Sequence, residues 1–178
     1  MKTHSAHLDT FARDHLPPHD LWPQFIFTRS ELQYPERLNC VVQFLDRWVE
    51  LGHGDEPCIV SPNISYSYSE LQHLVNRIAN VLVGKLGLVT GGRVLLRSAN
   101  NPMMVATYLA VLKAGGIVVA TMPLLRAKEV AYAIEKAEVA VALCDGRLAE
   151  EMEKARSIAP SLKRVSIGAP ASPAHWKR

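Results

Sequence analysis

Cysteine is scarce: Cys40, Cys58 and Cys144 are the only three in 178 residues, widely spaced and with no CxxC pair. An odd number at such spacings excludes a disulfide framework and points to buried thiols in a reducing compartment. Long apolar runs are missing too. The longest stretches, around 102–114 and 117–122, are broken by Lys113 and by Gly115-Gly116, and neither approaches the roughly 20 residues a bilayer crossing takes. No secretory leader is legible, because MKTHSAHLDTFARDHLPPHD carries charge throughout and has no apolar core ahead of a small-residue cleavage site. The expectation is a cytoplasmic protein that meets no membrane. Asn63-Ile64-Ser65 matches a glycosylation sequon, which is a coincidence without a secretory route.

Charge of one sign is not concentrated anywhere. Twenty Lys and Arg against 17 Asp and Glu leave a formal +3, with the signs interspersed, so the basic stripe of a nucleic-acid binder is absent. What is present is ordinary globular composition, 48% hydrophobic, 21% charged and 7% aromatic. This excludes collagen-like, low-complexity and wholly disordered classes. A chain of this length is long enough for one sizeable domain or a small domain with an appended segment, and can bury about 70% of its unfolded surface.

The chain divides into an amino-terminal arm (1–37), an α/β body (38–168) and a linker-like tail (169–178) rich in Ala, Pro and Ser. The arm holds His4, His7, His15 and His19 at uneven gaps, a poor metal-ligand pattern, and its Trp22, Phe25, Phe27 and Tyr34 are expected to pack onto the body. Leu38, Val41, Val42, Leu45, Trp48 and Val49 recur at helical spacing up to Gly52. Strands at 58–61 and 65–68 flank Pro62-Asn63 as a hairpin. Ser69 with Gln72 reads as a capping box for a helix closed by Gly87.

Beyond Gly91-Gly92 the pattern becomes short apolar runs separated by helices. Strands are expected at 94–97, 117–121, 139–144 and 164–167, with helices at 102–114, 127–136 and 147–158 between them. Starts roughly 22 to 25 residues apart fit strand plus crossover helix, hence a parallel sheet. The predicted fold class is therefore α/β, a parallel βαβ sheet flanked by helices, with the arm and a small hairpin. The helix at 102–114 is apolar nearly all round and should be buried on more than one side.

Recognisable catalytic chemistry is lacking. Gly84-Lys85 is followed by Leu86 and preceded at the phosphate-loop distance by Ala79, and Gly52-His53-Gly54 lacks a third glycine and follows a helix. No Gly-x-Ser-x-Gly elbow frames Ser61, Ser65, Ser69 or Ser98. Each cysteine lies in an apolar run, and Glu150-Glu151 reads as a solvated, salt-bridged helix face. No catalytic, cofactor-binding or metal-binding residue is assigned.

A specific succession nevertheless runs through the body. Ser-Tyr-Ser-Tyr-Ser-Glu-Leu (65–71), Asn76-Arg77-Ile78-Ala79, Gly91-Gly92-Arg93-Val94, Asn100-Asn101-Pro102, Leu109-Ala110-Val111-Leu112-Lys113-Ala114-Gly115-Gly116 and Met122-Pro123-Leu124-Leu125 resemble the amino-terminal part of AMP-forming acyl-CoA synthetases, of the adenylate-forming superfamily. Asp9-Thr10-Phe11-Ala12-Arg13, Leu16-Pro17-Pro18 and Tyr34-Pro35-Glu36-Arg37-Leu38-Asn39 look most like the 2-aminobenzoate and benzoate CoA ligases. Where the family usually has Gly-Asp-Arg-Val, this chain has Gly91-Gly92-Arg93-Val94, and no functional consequence is expected.

The resemblance covers nearly the whole chain but only about the first third of such an enzyme. It implies that a longer parent joins a small aromatic carboxylate to CoA, using ATP and Mg, through an acyl-adenylate. The family's Ser/Thr/Gly-rich loop ending in Pro-Lys-Gly, its adenine and ribose motifs and its carboxy-terminal lysine have no counterpart in 1–178. The chain alone is therefore expected to be inactive, to bind no cofactor, to pair with the remainder of the ligase and to self-associate through exposed sheet surface. The loop Thr121 to Arg126 reads as a strand-to-helix turn, with an approach to CoA as the other reading. A non-catalytic α/β binding module on the same scaffold is the alternative function.

Overall fold

The computed structural model describes residues 5–62 and 64–168. The sequon's Asn63 and the tail at 169–178 lie outside the described residues.

The body is built on four runs whose β-branched and aliphatic side chains suit a sheet covered on both faces. They are β3 (Arg93–Arg97), β4 (Ile117–Thr121), β5 (Val141–Asp145) and β6 (Arg164–Gly168). All pair in parallel in the order β4-β3-β5-β6. Ahead of them β1 (Pro57–Val60) and β2 (Ser65–Ser67) form the antiparallel hairpin.

Helices α2 (Tyr68–Gly84), α3 (Pro102–Lys113), α4 (Ala127–Lys136) and α5 (Ala149–Ile158) cover the sheet. The chain moves outward from β3 to β4, then returns past β3 to β5 and on to β6. With right-handed crossovers this reversal puts α3 on one face and α4 and α5 on the other. Two cores result. Leu71, Val75 and Leu82 of α2 and Ala106, Ala110 and Val111 of α3 meet Val94, Leu96 and Val141. On the opposite face Val130, Ile134, Met152 and Ala155 meet Leu95, Ala142 and Cys144.

Several boundaries differ from the sequence expectation. The first body helix spans 40–53 and winds with i→i+5 turns at Val42–Asp46 and Val49–His53, ending on Gly52 at φ +94°. The box that opens α2 is Ser67 with Glu70, not Ser69 with Gln72: Glu70 N donates to Ser67 Oγ and Ser67 N to Glu70 Oε2. Tyr68 is helical, so the hairpin's second strand is one residue shorter than expected. Helix α2 ends at Gly84, and Gly87 (φ +61°) belongs to the turn beyond it. Strand β5 starts at Val141, because Glu138 turns the chain at φ +47°.

Helix α3 is not buried all round. It carries Asn101 as N-cap, whose side chain accepts from Met104 N, and seats Ala106, Ala110 and Val111 in the core, while Val105 and Tyr108 stand 42% and 40% exposed. An all-apolar helix on the outside of a layer turns one of its apolar faces to solvent.

The arm touches the body through its first residues. Leu8 N and Asp9 N donate to Thr90 O, and Thr90 Oγ1 donates to Ala6 O. Gly91, at φ +83°, has no room for a side chain, since a Cβ there meets the Asp9 carbonyl and His7. The short helix α1 (Phe11–Asp14) then lays Phe11 against the Arg93 guanidinium, 4.5 Å from ring centroid. The later aromatics do not pack onto the body as expected. His19, Trp22, Phe25 and Phe27 form a chain of ring contacts among themselves, with Phe25, Phe27 and Tyr34 all more than half exposed. Prolines 17, 18, 23 and 35 keep this segment extended, so each ring finds a sequence neighbour first.

Candidate functional site

In an open parallel sheet, ligands meet the crevice beyond the strand carboxyl ends where strand order reverses. Here that point lies between β3 and β5. β3 ends in Arg97, with Ser98 following it, and β5 in Cys144 and Asp145, while the α3 N-cap Asn101 bonds Ser98.

Arg97 is buried, 1% exposed, and among the described residues its guanidinium makes its hydrogen bonds to carbonyl oxygens. Its Nη1 donates to Met122 O at 3.2 Å, and its Nη2 to Pro123 O at 3.1 Å and Leu125 O at 2.6 Å. Its Nε has no hydrogen-bond partner. Burial of a cation is tolerated when carbonyl dipoles surround it. The same bonds fix the loop Thr121 to Arg126 as the turn between β4 and α4, while Met122 and Leu124 stand 62% and 81% exposed.

Asp145 is held by Arg147, whose Nε and Nη2 reach its two oxygens at 3.0 and 2.7 Å while the Arg147 amide donates at 3.0 Å. The Arg147 bond holds the Asp145 carboxyl below its usual range, against the effect of burial, with Ser98 adding a further bond. Asn101 Nδ2 donates to Ser98 Oγ at 3.0 Å. Burial pushes the Cys144 thiol up to about 11, although the Arg97 charge pulls the other way. A thiol so shifted stays protonated at neutral pH and is no nucleophile. Burial likewise raises Cys58, against a hydrogen bond from Tyr68.

Beside these strand ends lies a cavity of about 440 Å³, walled by α2 and α3 and floored by β5 and β6. Its lining is mostly apolar, with Arg77, Ser98, Asn101 and Asp145 around it.

The acid pair on α5 divides. Glu150 is solvated, 82% exposed, and pairs with Lys154. Glu151 accepts the Ala127 amide at 2.8 Å and so caps α4 from α5; that bond, with Lys154, lowers its carboxyl. Among the described residues no group of three or more His, Cys, Asp or Glu converges as metal ligands do, and no helix is long and apolar enough to cross a membrane. Arg97 and Asp145 escaped the sequence reading as crevice residues. The signal was there: each is a charge terminating a buried strand, where an apolar residue would be ordinary.

The fold is an α/β unit, a parallel four-stranded sheet flanked by helices, whose strand order reverses between β3 and β5. A family model, AMP-binding enzyme, matches residues 45–178, and the chain belongs to that family. It is 34% identical over 120 residues to the 3-hydroxybenzoate–CoA ligase of Aromatoleum sp. (strain CIB), covering 67% of this chain and 23% of that protein. It is 26% identical over 140 residues to the benzoate–CoA ligase of Thauera aromatica, covering 79% and 27%. The crystal structure of an anthranilate CoA ligase in complex with anthranoyl-AMP superposes with a TM-score of 0.67 at 21% identity, over 72% of this chain and 24% of that one. The chain thus spans about a quarter of the length of these proteins.

Proposed function

We propose that residues 1–178 are the amino-terminal scaffold of an AMP-forming aryl-acid–CoA ligase and carry no catalysis by themselves. The whole ligase would join a small aromatic carboxylate to CoA with consumption of ATP. The observation that carries this reading is the recurrence of hydroxybenzoate and benzoate ligases among the relatives. The arm's likeness to 2-aminobenzoate and benzoate ligases points to the aryl-acid branch.

No phosphate site forms at the single Gly-Lys pair. Gly84-Lys85 falls at the carboxyl end of α2, with Lys85 as its C-cap, where the helix dipole repels phosphate. No step of the reaction is assigned to this chain. Its part is to supply one layered sheet, with the ordered loop 121–126 at the strand ends, for the rest of the ligase to pack on. The working compartment is the cytoplasm. Uncovered sheet edges also favour self-association of the chain when alone.

Isotope exchange between pyrophosphate and ATP, in the presence of benzoate, 2-aminobenzoate or 3-hydroxybenzoate, tests the reading. The 178-residue chain gives no exchange above the blank, and robust exchange overturns it. Sedimentation that rises with concentration is expected, and a strictly monomeric chain contradicts the self-association.

A further inference from the structure

Residues 15–38 make a closed excursion from the body. Ahead of it, Leu8 N and Asp9 N donate to Thr90 O; behind it, Asn39 Nδ2 donates to Lys113 O at 3.1 Å. Gly91 N in turn donates to Gly115 O at 2.7 Å, so both anchors sit at one corner, where α3 turns into β4 beside the start of β3. From Asp14 to Leu38 every residue except Trp22 is exposed or nearly so. The excursion nevertheless carries Leu16, Leu21, Phe25, Ile26, Phe27 and Tyr34, each at least half exposed. A single exposed apolar residue is ordinary, but a group of this size marks a contact.

At its centre lies a strand without a partner. Gln24 to Thr28 follow Pro23 and are flanked by extended backbone at Trp22 (φ −78°, ψ 144°) and Arg29 (φ −82°, ψ 141°). The Phe25 and Phe27 rings stack with centroids 6.0 Å apart and planes 8° from parallel. Side chains two residues apart share a face in this way on an extended chain, and Ile26 takes the other face. Among the described residues, no backbone group of Gln24 to Thr28 exchanges a hydrogen bond with another backbone group. An extended, unpaired aromatic segment is a template for strand pairing.

We propose that Gln24 to Thr28 pair antiparallel with the same segment of a second copy of this chain, about a two-fold axis at Ile26. The excursion begins ahead of residues 45–178, which match the family model, and the proposal goes beyond the scaffold reading. Three observations favour a second copy over a lipid surface. Pairing about Ile26 sets Phe25 of each chain opposite Phe27 of the other, which adds aromatic cross-strand pairs to the stack within each chain. It also leaves Pro23, which has no N–H to give, just outside the ladder. The charges are mixed, Arg29 and Arg37 with Asp20, Glu31 and Glu36 and no lysine in 15–38; a self-complementary patch tolerates this, whereas an anionic bilayer attracts a basic excess. At half exposure the six apolar side chains offer on the order of 600 Å² per chain, near the roughly 800 Å² that each partner gives to a standard interface.

Disulfide mapping of the 178-residue chain tests the pairing. Ile26→Cys faces its own copy across the axis, at a separation that a disulfide spans. Under mild oxidation it is expected to form a covalent dimer at least tenfold faster than the parent chain with its Cys40, Cys58 and Cys144. Phe25→Cys and Phe27→Cys are each slow alone, because each is offset by two residues from its own copy, and fast when mixed. Phe25→Asp with Phe27→Asp sets like charges directly opposite and is expected to weaken concentration-dependent sedimentation severalfold. Equal rates for the three cysteine variants, or no dimer of Ile26→Cys beyond the parent, overturn the proposal. Sedimentation unchanged in the double aspartate variant places the contact at the sheet edges and also overturns it. Co-sedimentation of the parent chain with phosphatidylcholine vesicles, without preferential cross-linking at Ile26→Cys, makes the excursion a lipid-facing loop and overturns it as well.

Discussion

Asp9 of the arm and Arg93 of β3 form an ion pair at 2.5 Å, with the arginine side chain 6% exposed and the aspartate 30%. The same guanidinium donates to Ala137 O and Glu138 O beyond α4. Arg93 therefore ties three segments distant in sequence: the arm, the first sheet strand and the turn before β5. The family's usual aspartate one residue earlier is Gly92 here, yet Arg93 still has a carboxylate partner.

That pair makes arm docking sensitive to acid. Burial raises the Asp9 carboxyl, but the Arg93 bond, the Phe11 amide and the Arg93 charge together outweigh it and leave the group below its ordinary 3.8. A carboxyl lowered in the folded state contributes stability that is fully present above its unfolded value and is lost as pH falls through the folded one. Protection factors of the Leu8 and Asp9 amides, corrected for the pH dependence of intrinsic exchange, are expected to fall below about pH 4. Asp9→Asn should exchange fast at neutral pH and lose most of the dependence. Protection unchanged in Asp9→Asn would show that Thr90 alone holds the arm.

Arg97→Met should cost about 3 kcal/mol, the scale for losing charge-assisted bonds to buried carbonyls. The loop Thr121 to Arg126 should become accessible to proteases at the same time. Arg97→Lys, with a single ammonium in place of a fork, should recover only part of the loss. A melting curve and limited proteolysis read both effects. Full stability in Arg97→Met would mean the loop is held by its own turn.

Lys113 at the end of α3 reaches Asp46 Oδ1 at 2.7 Å, and Gln72 Nε2 of α2 donates to the same oxygen at 3.0 Å. Both charged side chains are mostly covered, 19% and 13% exposed. Asp46→Ala leaves an ammonium and an amide without their acceptor and should destabilise by about 2 kcal/mol. The double change with Lys113→Met should be milder than the sum. Additive losses in denaturant titrations would contradict the coupling.

Cys144 should be the slowest thiol to react. At pH 8 a thiol near 11 is almost wholly protonated. Kinetics of iodoacetamide labelling, resolved by peptide, should find Cys40 labelled well before Cys144. Cys144 labelling first would mean the sheet opens readily around it.

Much of this architecture is legible in the order of residues. The spacing of the four apolar runs carries the parallel sheet, and Asn100 or Asn101 ahead of Pro102 marks the start of α3, with Asn101 the cap in the fold, because strand period, N-caps and Pro are local signals. The capping box slipped by two residues because Ser67 and Ser69 both precede a suitable partner three positions on, and only the fold shows that Tyr68 is helical. The contacts of Asp9 with Arg93, of Arg97 with three carbonyl oxygens and of Glu151 with the α4 amide join positions far apart in the chain. No local pattern encodes them. The exposure of Val105 and Tyr108 on α3 was hidden for a related reason, since apolar residues all round a helix say nothing of what covers each side.

The scaffold reading is tested most directly by the mass of the native protein in its source cells, detected with an antibody raised against this chain. The account predicts a species several times heavier than 19.7 kDa. A sole species at 19.7 kDa would contradict it and make the crevice and cavity the property of a self-standing binding module.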